Sequence, residues 1–228
     1  MVTYIALHEG SVMPLSPAIQ HSLARALAAQ NKTGNRFLVN APAAGEAIAE
    51  LHSDDADSLS HKIATLQSAQ QRWACLTRDT RAPILIAYAN AMKQHRDALS
   101  TLLAADAGKT LKEAQIEVDG AADILHKTIN DTSLPILANM KRVKHRAPLG
   151  QVGLITSFNF PLVVAHWTLA PALLAGNAVL WKPSEKTPLV ALYVKSLWDE
   201  VAPEYSNLFQ IALGGRTVGE WLVSHPHI

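Results

Sequence analysis

The sequence predicts an α/β protein in which amphipathic helices precede a doubly wound parallel sheet that is incomplete. Three observations carry this. Residues 57–128 hold long stretches of helical periodicity. From residue 151 the texture changes to strand, helix, strand, helix, strand, helix, the alternation of parallel strands joined by crossover helices. That series contains three strands, whereas a doubly wound nucleotide-binding sheet has about five or six.

Taken in order, residues 16–29 have helical periodicity. Residues 35–48 read as a hairpin: Phe37, Leu38 and Val39 on one arm, a turn over 40–45 that ends in Gly45, and a second arm over 46–49. A helix follows over 57–76, with Leu59, Ile63, Leu66, Ala69 and Trp73 on one stripe. A second helix is expected over 81–107, with Pro83 tolerable in its first turn, and Gly108 ends it. Ile84, Leu85, Tyr88, Met92, Leu99, Leu102 and Leu103 recur along it at helical spacing. A third helix is expected over 110–128, with Leu111, Ala114, Val118, Ala121 and Leu125 facing inward. The basic run from Lys141 to Arg146 reads as a solvated strand. Strands are expected over 151–157, 178–182 and 208–213, and helices over 162–175, 189–201 and 216–224. Neither an internal repeat nor a low-complexity segment is visible.

The 228 residues are 49% hydrophobic and 17% charged, with a net charge of +1, which suits a globular core and argues against nucleic acid or an acidic membrane as partner. The apolar run 160–174 is broken by His166 and Pro171 and falls short of the about 20 residues a membrane helix needs. The first fifteen residues carry Glu9 and Pro14 and lack a basic start, so they do not read as a signal peptide. The single cysteine, Cys75, excludes an internal disulfide and suits a reducing compartment. The cytoplasm is the expected location. His225 and His227 lack a third ligand, so no metal site is expected.

Two short segments sit where an open α/β sheet binds ligands, beyond the carboxyl ends of strands. Ser157-Phe158-Asn159-Phe160-Pro161 follows the first strand. Taken alone, Asn159 reads first as a turn or N-cap residue, and second as an amide aimed at a ligand. Trp181-Lys182-Pro183-Ser184-Glu185 follows the second strand. Lys182 and Glu185 can grip ribose hydroxyls, or form a solvated ion pair. Neither the Gly-x-Gly-x-x-Gly fingerprint after the first strand nor a phosphate-binding P-loop is present.

Together these segments resemble the aldehyde dehydrogenase superfamily. The order Pro148-Leu149-Gly150-Gln151-Val152-Gly153, Asn159-Phe160-Pro161, Pro171 through Asn177, and Lys182-Pro183-Ser184-Glu185-Lys186-Thr187-Pro188 matches that family in sequence and spacing. Upstream, Asn40 through Glu46 resembles its Asn-Pro-Ala-Thr-Gly-Glu turn. Gly108-Lys109-Thr110 with Glu113-Ala114 and Glu117-Val118 resembles its Gly-Lys-Thr helix start. The resemblance covers residues 35–228.

The resemblance implies an enzyme that oxidises an aldehyde to a carboxylic acid with NAD, or alternatively NADP, as acceptor. Asn159 matches the family's oxyanion-stabilising asparagine, a type of donor worth about a hundred- to a thousandfold in rate. Ile155, Thr156, Ser157 and Phe158 match the strand end along the cofactor. Lys182, Ser184 and Glu185 match residues around the adenosine ribose, and Gly215 and Gly219 a turn near the adenine. Glu185 favours NAD, because a carboxylate at the ribose repels a 2′-phosphate, while Lys182 and Ser184 still tolerate NADP.

Phe160, Val163, Val164 and Trp167 share one helical stripe and match positions that line the family's aldehyde tunnel. Their apolar character points to an uncharged aldehyde, although plain core packing explains Val163 and Trp167 equally well. The family's nucleophilic cysteine, its base glutamate and its Phe-Thr-Gly-Ser-Thr turn fall in a catalytic domain expected to be absent from this chain. Cys75 is read as an inert thiol. The expected division is residues 1–132 as helices and hairpin of the cofactor domain, 133–149 as part of an oligomerisation extension, and 150–228 as the cofactor-binding βαβ portion. The complete enzyme is expected to be a homodimer or homotetramer, and this chain alone inactive. The alternatives are a non-catalytic nucleotide-binding or oligomerisation module, and a decayed gene product.

Overall fold

The computed structural model describes residues 34–43, 45–131 and 147–228. The helix expected over 16–29 and the strand expected over 141–146 lie outside them.

Strands β1 (Arg36–Ala41) and β2 (Glu46–His52) form the antiparallel hairpin, with a bulge between Val39 and Asn40. Four helices follow: α1 (Ala56–Ala74), α2 (Arg78–Gln94), α3 (Arg96–Ala107) and α4 (Leu111–Asn130). The anticipated stripe of α1, from Leu59 to Trp73, is buried throughout. Asp55 caps α1 by accepting the Ser58 N–H at 2.8 Å, and Thr110 with Glu113 forms a capping box on α4.

The single helix expected over 81–107 is two. His95 leaves the helical region at φ −95° and ψ 17°, and its ring bonds the Tyr193 hydroxyl at 2.9 Å. Arg96 then pairs with Asp119 of α4 at 2.8 Å. The apolar period runs on across this joint, which is why periodicity missed it. Gly108 closes α3 in the left-handed region at φ 68°. A Cβ there would also come within 3.0 Å of Pro42 in the hairpin turn. Leu111, expected to face inward, is exposed, because it begins α4 outside the packed stripe.

The second half builds a three-stranded parallel sheet in the order β3 (Gln151–Ile155), β4 (Ala178–Lys182), β5 (Phe209–Ile211). The first and third strands are shorter than the expected 151–157 and 208–213, and a 3-10 turn over Pro203–Leu208 precedes β5. The crossovers are α5 (Pro161–Leu174) and α6 (Leu189–Val201), and α7 (Arg216–Ser224) follows β5. Central β4 is buried at every position, as a strand covered on both faces requires.

On one face Trp181 stacks with Phe209, which meets Trp198 of α6, and Trp198 in turn meets Trp73 and Tyr88. On the other, Gln210 bonds Thr65 of α1, and α7 lies over β3. Gly153 lets α7 and Ile228 approach closely there: a Cβ would fall 2.8 Å from Ile228 and 3.3 Å from Leu222, so both side chains would have to shift.

Candidate functional site at the carboxyl ends of the strands

Because the three strands are parallel, the segments after β3, β4 and β5 emerge on one edge. After β3, the Thr156 N–H donates to the Lys182 carbonyl at 3.2 Å. The Thr156 hydroxyl accepts from Trp181 Nε1 at 2.8 Å. This locks the two segments together. Ile155 and Lys182 are register partners, and Gly219 of α7 sits above both: a Cβ built on it would lie 3.6 Å from the lysine stem and 3.9 Å from Ile155. The structure thus gathers Ile155, Thr156, Lys182 and Gly219.

Lys182 is 5% exposed. Its Nζ donates to the Pro183 carbonyl at 3.0 Å and lies 3.7 Å from the Glu185 carboxylate. Burial lowers its pKa, and Glu185 works in the opposite direction. Ser184 is buried and accepts the Lys186 N–H at 3.2 Å. The half-exposed Glu185 faces a cavity of about 500 Å³. Asn35, Phe37, Asp54, Gly215 and Trp221 line the same cavity. Glu185 thus presents an acceptor at the cavity, with the buried Lys182 ammonium behind it, a donor and acceptor close enough to serve neighbouring hydroxyls.

Sequence reasoning missed the hairpin's share in this cavity. Asp54 is buried and accepts from Lys62 at 2.5 Å, from Ser58 at 2.8 Å and from the Leu213 N–H at 2.7 Å. It pins the end of the hairpin to the loop after β5. The run Asp54-Asp55 before α1 signals a cap, but not this long-range bond.

Asn159, Phe158 and Phe160 lie at the start of α5 and are exposed, and none of them lines the cavity. Asn159 is not the N-cap; Phe160 is, and without a side-chain cap bond. The Ser157 hydroxyl donates to Asn159 Oδ1 at 2.6 Å, so the amide nitrogen faces away from Ser157 with its protons available. Lys186 stands over the Phe158 ring at 4.7 Å. The stripe divides: Phe160 and Trp167 are exposed, the latter by 65%, whereas Val163 and Val164 are half-buried and Val163 packs toward Gly120 of α4.

Cys75 stands at the end of α1. Trp73 Nε1 donates to the Leu173 carbonyl at 2.7 Å, and Arg81 bridges the carbonyls of Leu76 and Leu174. Cys75 therefore neighbours the far end of α5, about 20 Å from Asn159 at 1.5 Å per residue. Among the described residues no cluster of three or more His, Cys, Asp or Glu could hold a metal, and no helix is long and apolar enough to cross a membrane.

A helical layer against a parallel sheet, with its polar side chains gathered at the carboxyl edge, defines an α/β ligand-binding unit of the doubly wound class. Comparison with known proteins is more specific. The family model described as "Aldehyde dehydrogenase family" matches residues 29–228, and the chain belongs to that family. It is 36% identical over 207 residues to betaine aldehyde dehydrogenase of Agrobacterium fabrum, which covers 87% of this chain and 42% of that relative.

Solved structures agree. HpcC from Thermus thermophilus shares the fold with a TM-score of 0.80 at 24% identity, over 92% of this chain and 44% of that one. A betaine aldehyde dehydrogenase point mutant from Staphylococcus aureus, in complex with NAD+, matches with a TM-score of 0.75 at 28% identity, over 85% of this chain and 41% of that one. NADP-dependent glyceraldehyde-3-phosphate dehydrogenase from Bacillus halodurans, complexed with NADP, matches with a TM-score of 0.77 at 27% identity, over 86% and 44%. The chain thus spans less than half the length of these relatives.

Proposed function

We propose that this chain is the cofactor-holding portion of an aldehyde dehydrogenase that oxidises an aldehyde to a carboxylic acid, and that it does not turn over by itself. The observation that supports the reading is the Lys182–Glu185 pair beyond β4, whose carboxylate lines the cavity while the ammonium lies buried 3.7 Å behind it. It supplies a donor and an acceptor in the arrangement that the two hydroxyls of an adenosine ribose require. Gly215 leaves open space at the same rim, since a Cβ there would meet nothing within 4 Å. The residues present therefore fit NAD, and the Glu185 carboxylate opposes the 2′-phosphate of NADP.

When bound, the dinucleotide supplies the hydride acceptor. The chain's own groups bind and orient. Lys182 and Glu185 hold the ribose. Ile155, Thr156, Ser157 and Phe158 form the wall along the strand end, with Gly219 letting α7 close over the Lys182 stem. Ser184, turned into its own loop by the Lys186 N–H, keeps that loop in shape. Asn159 presents its amide protons to the aldehyde oxygen as negative charge develops on it. Phe160, Val164 and Trp167 offer an apolar face, and the nearby Lys109 ammonium is already paired with Glu117, which favours an uncharged aldehyde. Val163 supports that face from below. The thiol that attacks the aldehyde must come from elsewhere, because Cys75 lies at the opposite end of α5.

Calorimetric titration of the purified chain with NAD, beside an assay of NADH formation with NAD and a simple aliphatic aldehyde, tests the reading. Weak, saturable binding of NAD with no NADH above a protein-free control is expected. Absence of binding, or aldehyde-dependent NADH formation by this chain alone, would refute it.

A further inference from the structure

The start of α5 has no cap of its own, yet its first turn is held from α4. Glu117 is 3% exposed. Its Oε1 accepts the backbone N–H of Leu162 at 2.9 Å and of Val163 at 3.3 Å. Its Oε2 bonds the ammonium of Lys109. That same ammonium stands 3.9 Å from the centroid of the Phe160 ring. Pro161 has no N–H, so one carboxylate thus satisfies the orphan donors of Leu162 and Val163 at the helix start, and one cation both neutralises it and grips the residue next to Asn159. Gly120, one turn further along α4, faces the same segment: a Cβ there would lie in ordinary contact with Val163 at 3.4 Å.

We infer that Lys109 and Glu117 are positioning residues for Asn159. They clamp the turn 158–163 from outside so that the amide is held at a fixed place before substrate arrives. The inference rests on the functional reading of Asn159 given above. Preorganised donors stabilise developing charge because they need no rearrangement at the moment of reaction, and an exposed asparagine ahead of an uncapped helix has no such rigidity of its own. Ser157 sets which way the amide faces; the clamp sets where it stands. Lys109 and Glu117 touch neither the cavity nor, in this reading, substrate, so they act only through the backbone and Phe160.

The test is residue-resolved hydrogen exchange and the side-chain amide resonance of Asn159, recorded on the chain and its variants. In the unaltered chain, Leu162 and Val163 should exchange about tenfold or more slowly than Thr217 and Val218, which open α7 without a side-chain cap bond. Equal rates would overturn the clamp even if no variant folds. Glu117→Ala should remove the protection and shift or broaden the Asn159 resonance.

The double variant Lys109→Met with Glu117→Gln keeps an acceptor facing the two amides and removes the unpaired charge, so it should restore the protection of Leu162 and Val163, while the Asn159 resonance stays shifted because the grip on Phe160 is lost. Asp119→Asn, which breaks the exposed pair with Arg96 on the same helix, should move neither. If Glu117→Ala lowers the melting temperature but leaves the Asn159 resonance where it was, Glu117 serves stability alone and the inference fails. The NAD titration is independent of these signals. A clamp that is present in a chain unable to bind NAD would overturn the functional reading, while a chain that binds NAD without the clamp signature would overturn only this inference.

Discussion

Lys182 carries its ammonium on a buried stem, and its charge is held by two oxygens, those of Pro183 and Glu185. Replacing it by Met keeps the stem's packing and removes the donor, so Lys182→Met should weaken NAD binding while leaving the melting temperature nearly unchanged; paired calorimetry and thermal melts check this. Glu185→Gln has a different signature. It removes the repulsion of a 2′-phosphate, and the ratio of NADP to NAD affinity should rise roughly fivefold, the worth of one exposed charge interaction. A fall in that ratio would remove Glu185 from the ribose.

That Lys182 and Glu185 stand together beyond a strand end was legible in the sequence, because they belong to an ordered motif after β4. The role of Glu117 was not. It stands in the motif that follows Gly108, but only the packing of α4 against α5 reveals that it faces the amides of another helix. The hairpin's contribution to the cavity was hidden for the same reason, since nothing local in Asn35 or Phe37 points to a loop some 180 residues away.

At the scale of elements, two helix packings hold buried titratable groups with opposite effects. Asp106, near the end of α3, accepts the Val190 N–H at the start of α6 at 3.0 Å. Burial pushes its carboxyl up to about 8. Its folded value lies above the roughly 4 of an unfolded chain, so stability that is present below 4 is lost as the pH rises through 8. His166, inside α5, bonds the Leu162 carbonyl at 2.7 Å and meets Tyr88. Burial pushes it down to about 4, below its unfolded value of about 6.5. Stability that is present above 6.5 is therefore lost as the pH falls through 4.

Between about 4 and 6.5 the two effects cancel. Above that Asp106 acts alone, and stability should fall by about 1.4 kcal/mol per pH unit up to 8. Urea midpoints across this range check it. Asp106→Asn, which keeps an acceptor for Val190, should flatten the upper limb; a limb that persists in the variant would refute the assignment. Helix periodicity foretold α3 and α5, but the joint at His95 and the burial of Asp106 depend on Tyr193 and Val190, which belong to α6 and leave no trace in the local pattern.

For the whole molecule, the decisive long-range contact is Asp54. It ties β2 to the loop after β5 through Leu213 and is neutralised by Lys62, which also donates to the Ile211 carbonyl at 2.9 Å. Removing one partner of a buried pair costs about 3 kcal/mol or more. Asp54→Ala should lower the unfolding free energy from urea melts by that amount and open the cavity shared by hairpin and sheet, detected as weaker NAD binding. A variant as stable as the parent would show that hairpin and sheet are held by apolar packing alone. The order of helices before a parallel sheet was readable from texture, because periodicity survives folding. The closure of the hairpin onto the sheet was not, because it joins residues 159 positions apart.

That separation also has a meaning in time. The strands β3, β4 and β5 lie side by side in the order in which a ribosome would make them, so the sheet can grow one strand at a time as the chain emerges. Asp54 cannot reach its partner so early. At about 5–20 residues per second, it waits roughly 8–30 s for Leu213. Through that interval the hairpin's end and the polar groups of Asp54 remain open to chaperones and proteases, and the tie between hairpin and sheet forms only after β5 has been made.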